Sequence, residues 1–284
     1  MSRLGAVAQR GQRMTEPLKD EAAQHEGQRR YFDKAYASIG AYRLENWRLS
    51  YIQRIFEDLK VRACGPDYRY LDVGIGGMGY TSIEAAREGA ESWGVDISEV
   101  AVASATRLGA QALGPELAPR CRFAVSPAEQ LPFPDAHFNG VSCIAVLEHV
   151  VRDQEAMAEL GRVTTPGGRV YVTVPHSFSK TPWPLAVLNW VNDKMVGHLR
   201  HYSVSELEQA MAAGGLTPVK TVYHGHLVKL WQFLRGFVDK SLAEPDSPAW
   251  WAMEKKDLDA WQDERASMLS MVFEKRMINQ QEES

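Results

Sequence analysis

The residues of this chain best suited to chemistry are two carboxylates, Asp72 and Asp96, and a set of histidines. Residues 70–82 read Y-L-D-V-G-I-G-G-M-G-Y-T-S, an apolar run that ends in Asp72 and then breaks into glycines. Gly74 and Gly76 let the backbone turn sharply and approach a ligand closely. The helix expected next offers unpaired N–H groups at its start. A carboxylate at such a turn suits a ligand that carries positive charge and amine donors, whereas it would repel a pyrophosphate. Residues 91–98, E-S-W-G-V-D-I-S, read as a second strand closing on Asp96. That is about the offset at which an acidic side chain accepts both ribose hydroxyls. Asp96 could instead cap the helix that begins near Ser98, a role equally open to Ser98.

The histidines 149, 176, 198, 201, 224 and 226 all fall near the expected carboxyl ends of strands or in the loops behind them. A neutral imidazole titrates near working pH and suits proton removal from an acceptor. His149 and His176 rank first as base because they directly follow the expected fourth and fifth strands.

In this order the segments resemble the class I methyltransferases that use S-adenosylmethionine (SAM). The first family motif, acidic-x-Gly-x-Gly-x-Gly, is matched at Asp72, Gly74 and Gly76, while Met78 holds the third glycine's place between Gly77 and Gly79. Residues 126–141, S-P-A-E-Q-L-P-F-P-D-A-H-F-N-G-V, look like the family's D-A-E-x-L-P-F-x-D segment. Pro127 stands where the family holds the adenine amine with Asp, so adenine falls to the Ala128 N–H, with Ser126 or Glu129 as side-chain substitutes. Residues 141–150 are similar to the fourth strand with its Leu-Glu-His-Val ending, and residues 165–175 to the fifth. The resemblance spans about residues 70–175. It implies an α/β fold: a Rossmann-like, seven-stranded, mostly parallel sheet with an antiparallel strand-seven edge, an N-terminal helical cap and a C-terminal helical insertion. It implies SAM as cofactor, held by Tyr31, Asp72, Gly74, Gly76, Asp96, Ile97, Ala128 and Glu129, with Tyr36 as a second lid aromatic. Methyl transfer to oxygen or nitrogen of a small, partly apolar acceptor, such as a secondary-metabolite intermediate, is the leading expectation. A lipid-linked or quinone-like acceptor is the alternative.

Glu148 and His149 are similar to the Glu-Val-Val-Glu-His segment of ubiquinone-pathway catechol O-methyltransferases, which contributes ligands for a divalent cation. Here the first Glu is Ala145. Hard cations favour about six oxygen-rich positions, so metal-independent catalysis is expected. Two other classes stay open. An NAD-dependent oxidoreductase would share the glycine loop but leaves Asp72, L-P-F-P-D and Leu147-Glu148-His149 unexplained. A non-catalytic SAM-binding module is the other.

The elements that must position these residues divide the chain as follows: residues 1–20 a mobile tail, 21–62 a helical cap, 63–284 the SAM-binding domain with insertions at 181–203 and 227–265. Trp47, Tyr51, Ile55 and Leu59 recur at fourfold spacing, as one helix face requires. The insertion bearing Trp183 is a candidate acceptor wall, and it leads into G-H-L-R-H-Y-S-V-S-E-L, whose His198, Arg200 and His201 are substrate candidates and whose Ser203 or Ser205 can cap a helix. Strands six and seven are expected at residues 217–223 and 268–274. The Trp-rich segment between them, with Leu227, Leu230, Trp231 and Leu234 at helical spacing, suits ligand shielding or a homodimer face better than a membrane surface.

With 45% hydrophobic and 24% charged residues the 284-residue chain can bury a full core. A net charge of -4 without basic clusters gives no nucleic-acid footprint. Three scattered cysteines, 64, 121 and 143, read as reduced thiols. Lacking a run of about 18 apolar residues or a leader-like start, the chain is expected in the cytoplasm, without stable membrane insertion.

Overall fold

The computed structural model describes residues 23–34, 36–37, 40–44, 46–61, 67–177, 198–224 and 266–277. The expected tail, Cys64, the Trp183 segment and the Trp-rich segment from residue 227 to 265 lie outside the described residues. In chain order the elements are α1 (residues 23–34), α2 (Asn46–Leu59), β1 (Arg69–Val73), α3 (Tyr80–Arg87), β2 (Glu91–Asp96), α4 (Glu99–Leu117), β3 (Cys121–Val125), β4 (Phe138–Ile144), α5 (Asp153–Val163), β5 (Thr164–Pro175), α6 (Val204–Ala213), β6 (Leu216–His224) and β7 (Met268–Lys275).

The seven strands run in the order β3-β2-β1-β4-β5-β7-β6, with β7 antiparallel to both of its neighbours and the pairings among β1 to β5 parallel. Buried on both faces, β1 and β4 read as near-continuous apolar runs. One core contains Leu71, Val141, Met157, Leu160 and Phe273. On the opposite face Ile52, Ile55, Phe56 and Leu59 of α2 pack over Tyr68 and Tyr70. The chain order reverses between β1 and β4, which are adjacent, and ligands of open α/β sheets bind at the carboxyl ends beside such a switch. Asp72, Asp96 and His149 converge there because β1, β2 and β4 all end at that edge.

The L-P-F-P-D segment is anchored to α5 although Pro132, Pro134 and Asp135 are exposed. Arg162 of α5 donates to the carbonyls of Leu131 and Phe133 and to Asp135, while Glu159 accepts the Leu131 N–H at 2.7 Å. Phe133 packs edge-on against Trp93 and Phe138. The helix starts follow the expected chemistry. Ser98 accepts from Ala101 N at 3.0 Å, and Ser203 with Glu206 forms a capping box on α6.

Candidate active site

The β1 register places Asp72 opposite Ser142 of β4, so the two side chains share a face of the sheet. Ser142 and Thr81, in the first turn of α3, both donate hydroxyl hydrogen bonds to the Asp72 carboxylate, and the Tyr70 hydroxyl lies 2.6 Å from Ser142 Oγ. Burial raises Asp72 to about 6, against the lowering effect of those two hydroxyls. Asp72 is thus poised between charge states, and a cation beside it would draw it to the carboxylate.

After β1 the chain turns through Gly74 with φ +80°, where a Cβ would overlap the Val146 side chain. Gly79 takes the N-cap of α3 at φ +58°, and a Cβ there would press on Phe123 and Ala105 at 2.9 and 3.0 Å. The close helix approach is therefore made by Gly79, one position beyond Met78. Asp96 accepts from the Gly76 N–H on one oxygen at 3.1 Å and from the Ser98 N–H on the other at 2.9 Å. Because Ser98 caps α4, Asp96 keeps lone pairs for a diol. Burial raises its pKa, partly offset by these backbone donors.

A cavity of about 370 Å³ joins these groups, within the range of about 300–1,000 Å³ usual for small-molecule sites. Asp72, Gly74, Gly76, Asp96, Ile97, Ala128 and Glu129 line it, as do Tyr51, Ile52, Ile144, Val146 and His149. Helix α1 closes over it with His25, Gln28, Phe32 and Tyr36, whose spacing is that of one helix face. Tyr31 lies off that face, 49% exposed and outside the lining, where Phe32 and Tyr36 stand instead. Three polar contacts tie α1 to the loops after β2, β3 and β4: Ser98 Oγ donates to Asp33, His25 Nε2 lies 3.3 Å from Glu129 Oε1, and Gln28 Nε2 donates to His149 O.

The expected histidines separate. His149 lines the cavity, its ring edge-on to Phe32 at 5.4 Å and 5.0 Å from His198. His176 is 4% exposed and is not among the lining residues: its Nδ1 lies 3.1 Å from the Ala266 carbonyl and its ring 5.4 Å from Tyr223. Its backbone N–H donates to the Ser267 carbonyl at 3.0 Å, just past the pairing of β5 with β7, and its ring is buried away from the cavity lining. Arg200, expected at the substrate, instead pairs with Asp153 and donates to the Val151 carbonyl at 3.1 Å. His201 stands 6.3 Å from His198, outside the lining.

The donor set suits SAM. Two carboxylates, Asp72 and Asp96, line the cavity together with the glycine turn and apolar side chains. Among the described residues, no helix is long and apolar enough to cross a membrane.

Residues 71–172 match the family model for a methyltransferase domain. Over 154 residues the chain is 34% identical to the ubiquinone/menaquinone biosynthesis C-methyltransferase UbiE of Ralstonia nicotianae, covering 49% of this chain and 59% of that protein. The chain thus spans less than two thirds of this relative's length. Geranyl diphosphate methyltransferase in complex with SAM superposes with a TM-score of 0.59 at 18% identity, covering 80% of this chain and 85% of that one. The [4+2]-cyclase SpnF superposes with a TM-score of 0.56 at 21% identity, covering 84% and 87%. These likenesses concern the fold alone. Residues 71–172 thus match a methyltransferase domain, and the chain that carries them has the Rossmann-like fold of these solved structures.

Proposed function

We propose that this protein transfers a methyl group from SAM to an oxygen or nitrogen of a small, partly apolar acceptor. The observation that carries this is one cavity lined by Asp72 and Asp96 together with Tyr51 and the apolar Ile52, Ile144 and Val146. Bound SAM would supply an electrophilic methyl for in-line displacement. The residues then have mainly to align the acceptor and exclude water. Asp96 would hold the ribose, Asp72 the amino-acid end, and Ala128 N–H with Glu129 the adenine. Helix α1 would close the site through Phe32 and Tyr36. His149 is the imidazole assigned to proton removal, because it lines the cavity, unlike His176, His198 and His201.

A quinone-like acceptor is the second reading, favoured by the identity with a quinone-pathway C-methyltransferase. Purified protein incubated with methyl-labelled SAM and separate panels of phenolic, amine and quinol acceptors tests both. Label transfer to a phenol or amine supports the first reading, and transfer only to ring carbon of a quinol supports the second. Calorimetry that shows no binding of SAM or S-adenosylhomocysteine, or tighter binding of NAD, would overturn the methyltransferase reading.

A further inference from the structure

Two segments about fifty residues apart in sequence meet beside His149, which lines the cavity. Glu148 and His149 follow β4, and His198 precedes α6. Each offers a ligand atom, and all of these atoms lie within 4.8 Å of one another. His198 Nε2 stands 4.0 Å from Glu148 Oε1. That gap is too long for a hydrogen bond. Two ligands each about 2.1 Å from one tetrahedral ion stand about 3.4 Å apart, so a side-chain shift of roughly half an ångström lets the pair share an ion. We propose that Glu148, His149 and His198 bind a divalent transition cation of the zinc class at the edge of the acceptor cavity.

The scaffold that brings them together is made by protein contacts. Leu199 N donates to Glu148 O at 2.9 Å, Tyr202 Oη donates to Leu147 O at 3.2 Å, and Arg200 ties the same crossing to Val151 and Asp153. The ligands are thus pre-arranged by the fold, with Glu148 fully buried and His149 facing the cavity. Two imidazoles and one carboxylate favour zinc and its neighbours over magnesium, which prefers oxygen. Three protein ligands leave a coordination position open, as catalytic zinc sites do. Ala145, which lines the cavity where the resembling segment has Glu, adds no fourth carboxylate. This departs from the metal-free expectation, which counted ligands along one segment and could not see His198. That the open position receives an acceptor oxygen rests on the methyl-transfer reading; the metal site itself does not. An imidazole bound to an ion is no longer a base, so in the loaded protein His149 holds the ion instead of taking a proton.

The test uses the full chain, stripped with a chelator, dialysed and titrated with Co²⁺ by visible absorption and with Zn²⁺ by calorimetry. The wild type should bind about one equivalent of either ion. His198→Ala, His198→Asn and Glu148→Gln should each weaken Zn²⁺ binding at least tenfold to a hundredfold, a range of about the size reported when even an outer partner of a ligand is removed. A cooperative thermal melt like that of the wild type reports that each variant is folded. X-ray absorption on Zn²⁺-loaded wild type needs no variant, and it should show imidazole scatterers at about 2.0–2.1 Å. No saturable Co²⁺ or Zn²⁺ binding, no imidazole scattering, or folded variants that bind like wild type would overturn the site. Failure to bind SAM with ion binding intact would overturn only the methyl-transfer reading.

Discussion

Asp96 is aimed by the glycine turn it faces: the Gly76 N–H donates to one carboxylate oxygen at 3.1 Å, across the gap between β1 and β2. The second oxygen accepts from Ser98 N, and Ser98 itself caps α4, so removal of the Asp96 side chain leaves the helix cap in place. Asp96→Ala should therefore weaken SAM binding with little effect on helix α4. A loss of about 1–3 kcal/mol is expected if ribose donors are left unpaired, which is about 5- to 150-fold in affinity. Calorimetry with SAM measures it, and unchanged affinity would remove Asp96 from the ribose site.

Gly74 cannot carry a side chain without displacing Val146, and its φ of +80° is unfavourable for other residues. Gly74→Ala should lower stability by about 1–2 kcal/mol from the backbone term alone. Val146→Ala in the same chain should recover part of the loss, because it relieves the overlap but not the strain. Thermal melts of the single and double variants decide this, and full recovery would mean that the turn tolerates alanine.

Asp72 should make SAM binding depend on pH. Its folded pKa is raised by burial to about 6, so in the cofactor-free protein the carboxyl binds a proton more tightly than in the unfolded chain. The cost of burying its ionised form is absent below the unfolded value of 3.8 and fully felt above about 6, so this group's contribution to stability falls as pH rises through that window. A bound ammonium or sulfonium favours the ionised form. SAM affinity should thus decline by up to about tenfold per unit as pH drops below about 6. The decline should vanish in Asp72→Asn, together with much of the affinity.

Glu129 is the side chain best placed to stand in for the adenine-binding Asp that Pro127 replaces. It is buried, lines the cavity and has His25 of α1 beside it. S-adenosylhomocysteine should bind more tightly than its inosine counterpart, which lacks the exocyclic amine. Glu129→Gln should shrink that preference by about tenfold, the size of one hydrogen bond to a charged group. An undiminished preference would assign the amine to backbone acceptors alone.

His176 should behave as a packing residue. Replacement by Ala opens a gap between Ala266 and Tyr223 and should lower the melting temperature, while S-adenosylhomocysteine affinity stays within about twofold because the ring does not line the cavity. A large change in affinity at unchanged stability would restore it to the site.

The strand ends at Asp72 and Asp96 and the caps at Ser98 and Ser203 were legible in the chain because each is a local signal. Buried parallel strands read as apolar runs that stop at a turn, and caps are set within four residues. The same locality made His149 and His176 look equivalent, since each follows a strand. Only the tertiary contacts of His176 with Ala266, Ser267 and Tyr223 bury it, while His149 stays at the cavity. Likewise the aromatic-rich start gave no phase: the face of α1 that meets the sheet edge selects Phe32 and Tyr36 and leaves Tyr31 in solvent. The meeting of His198 with Glu148 had no sequence signal at all, because it depends on the crossing pinned by Leu199 and Tyr202. Sequence by itself determined which residues end the strands and therefore the cofactor edge of the sheet, since strand and turn preferences act over a few neighbouring residues. Tertiary structure alone decided which of the remaining side chains face the cavity, because that depends on how distant segments cross and pack.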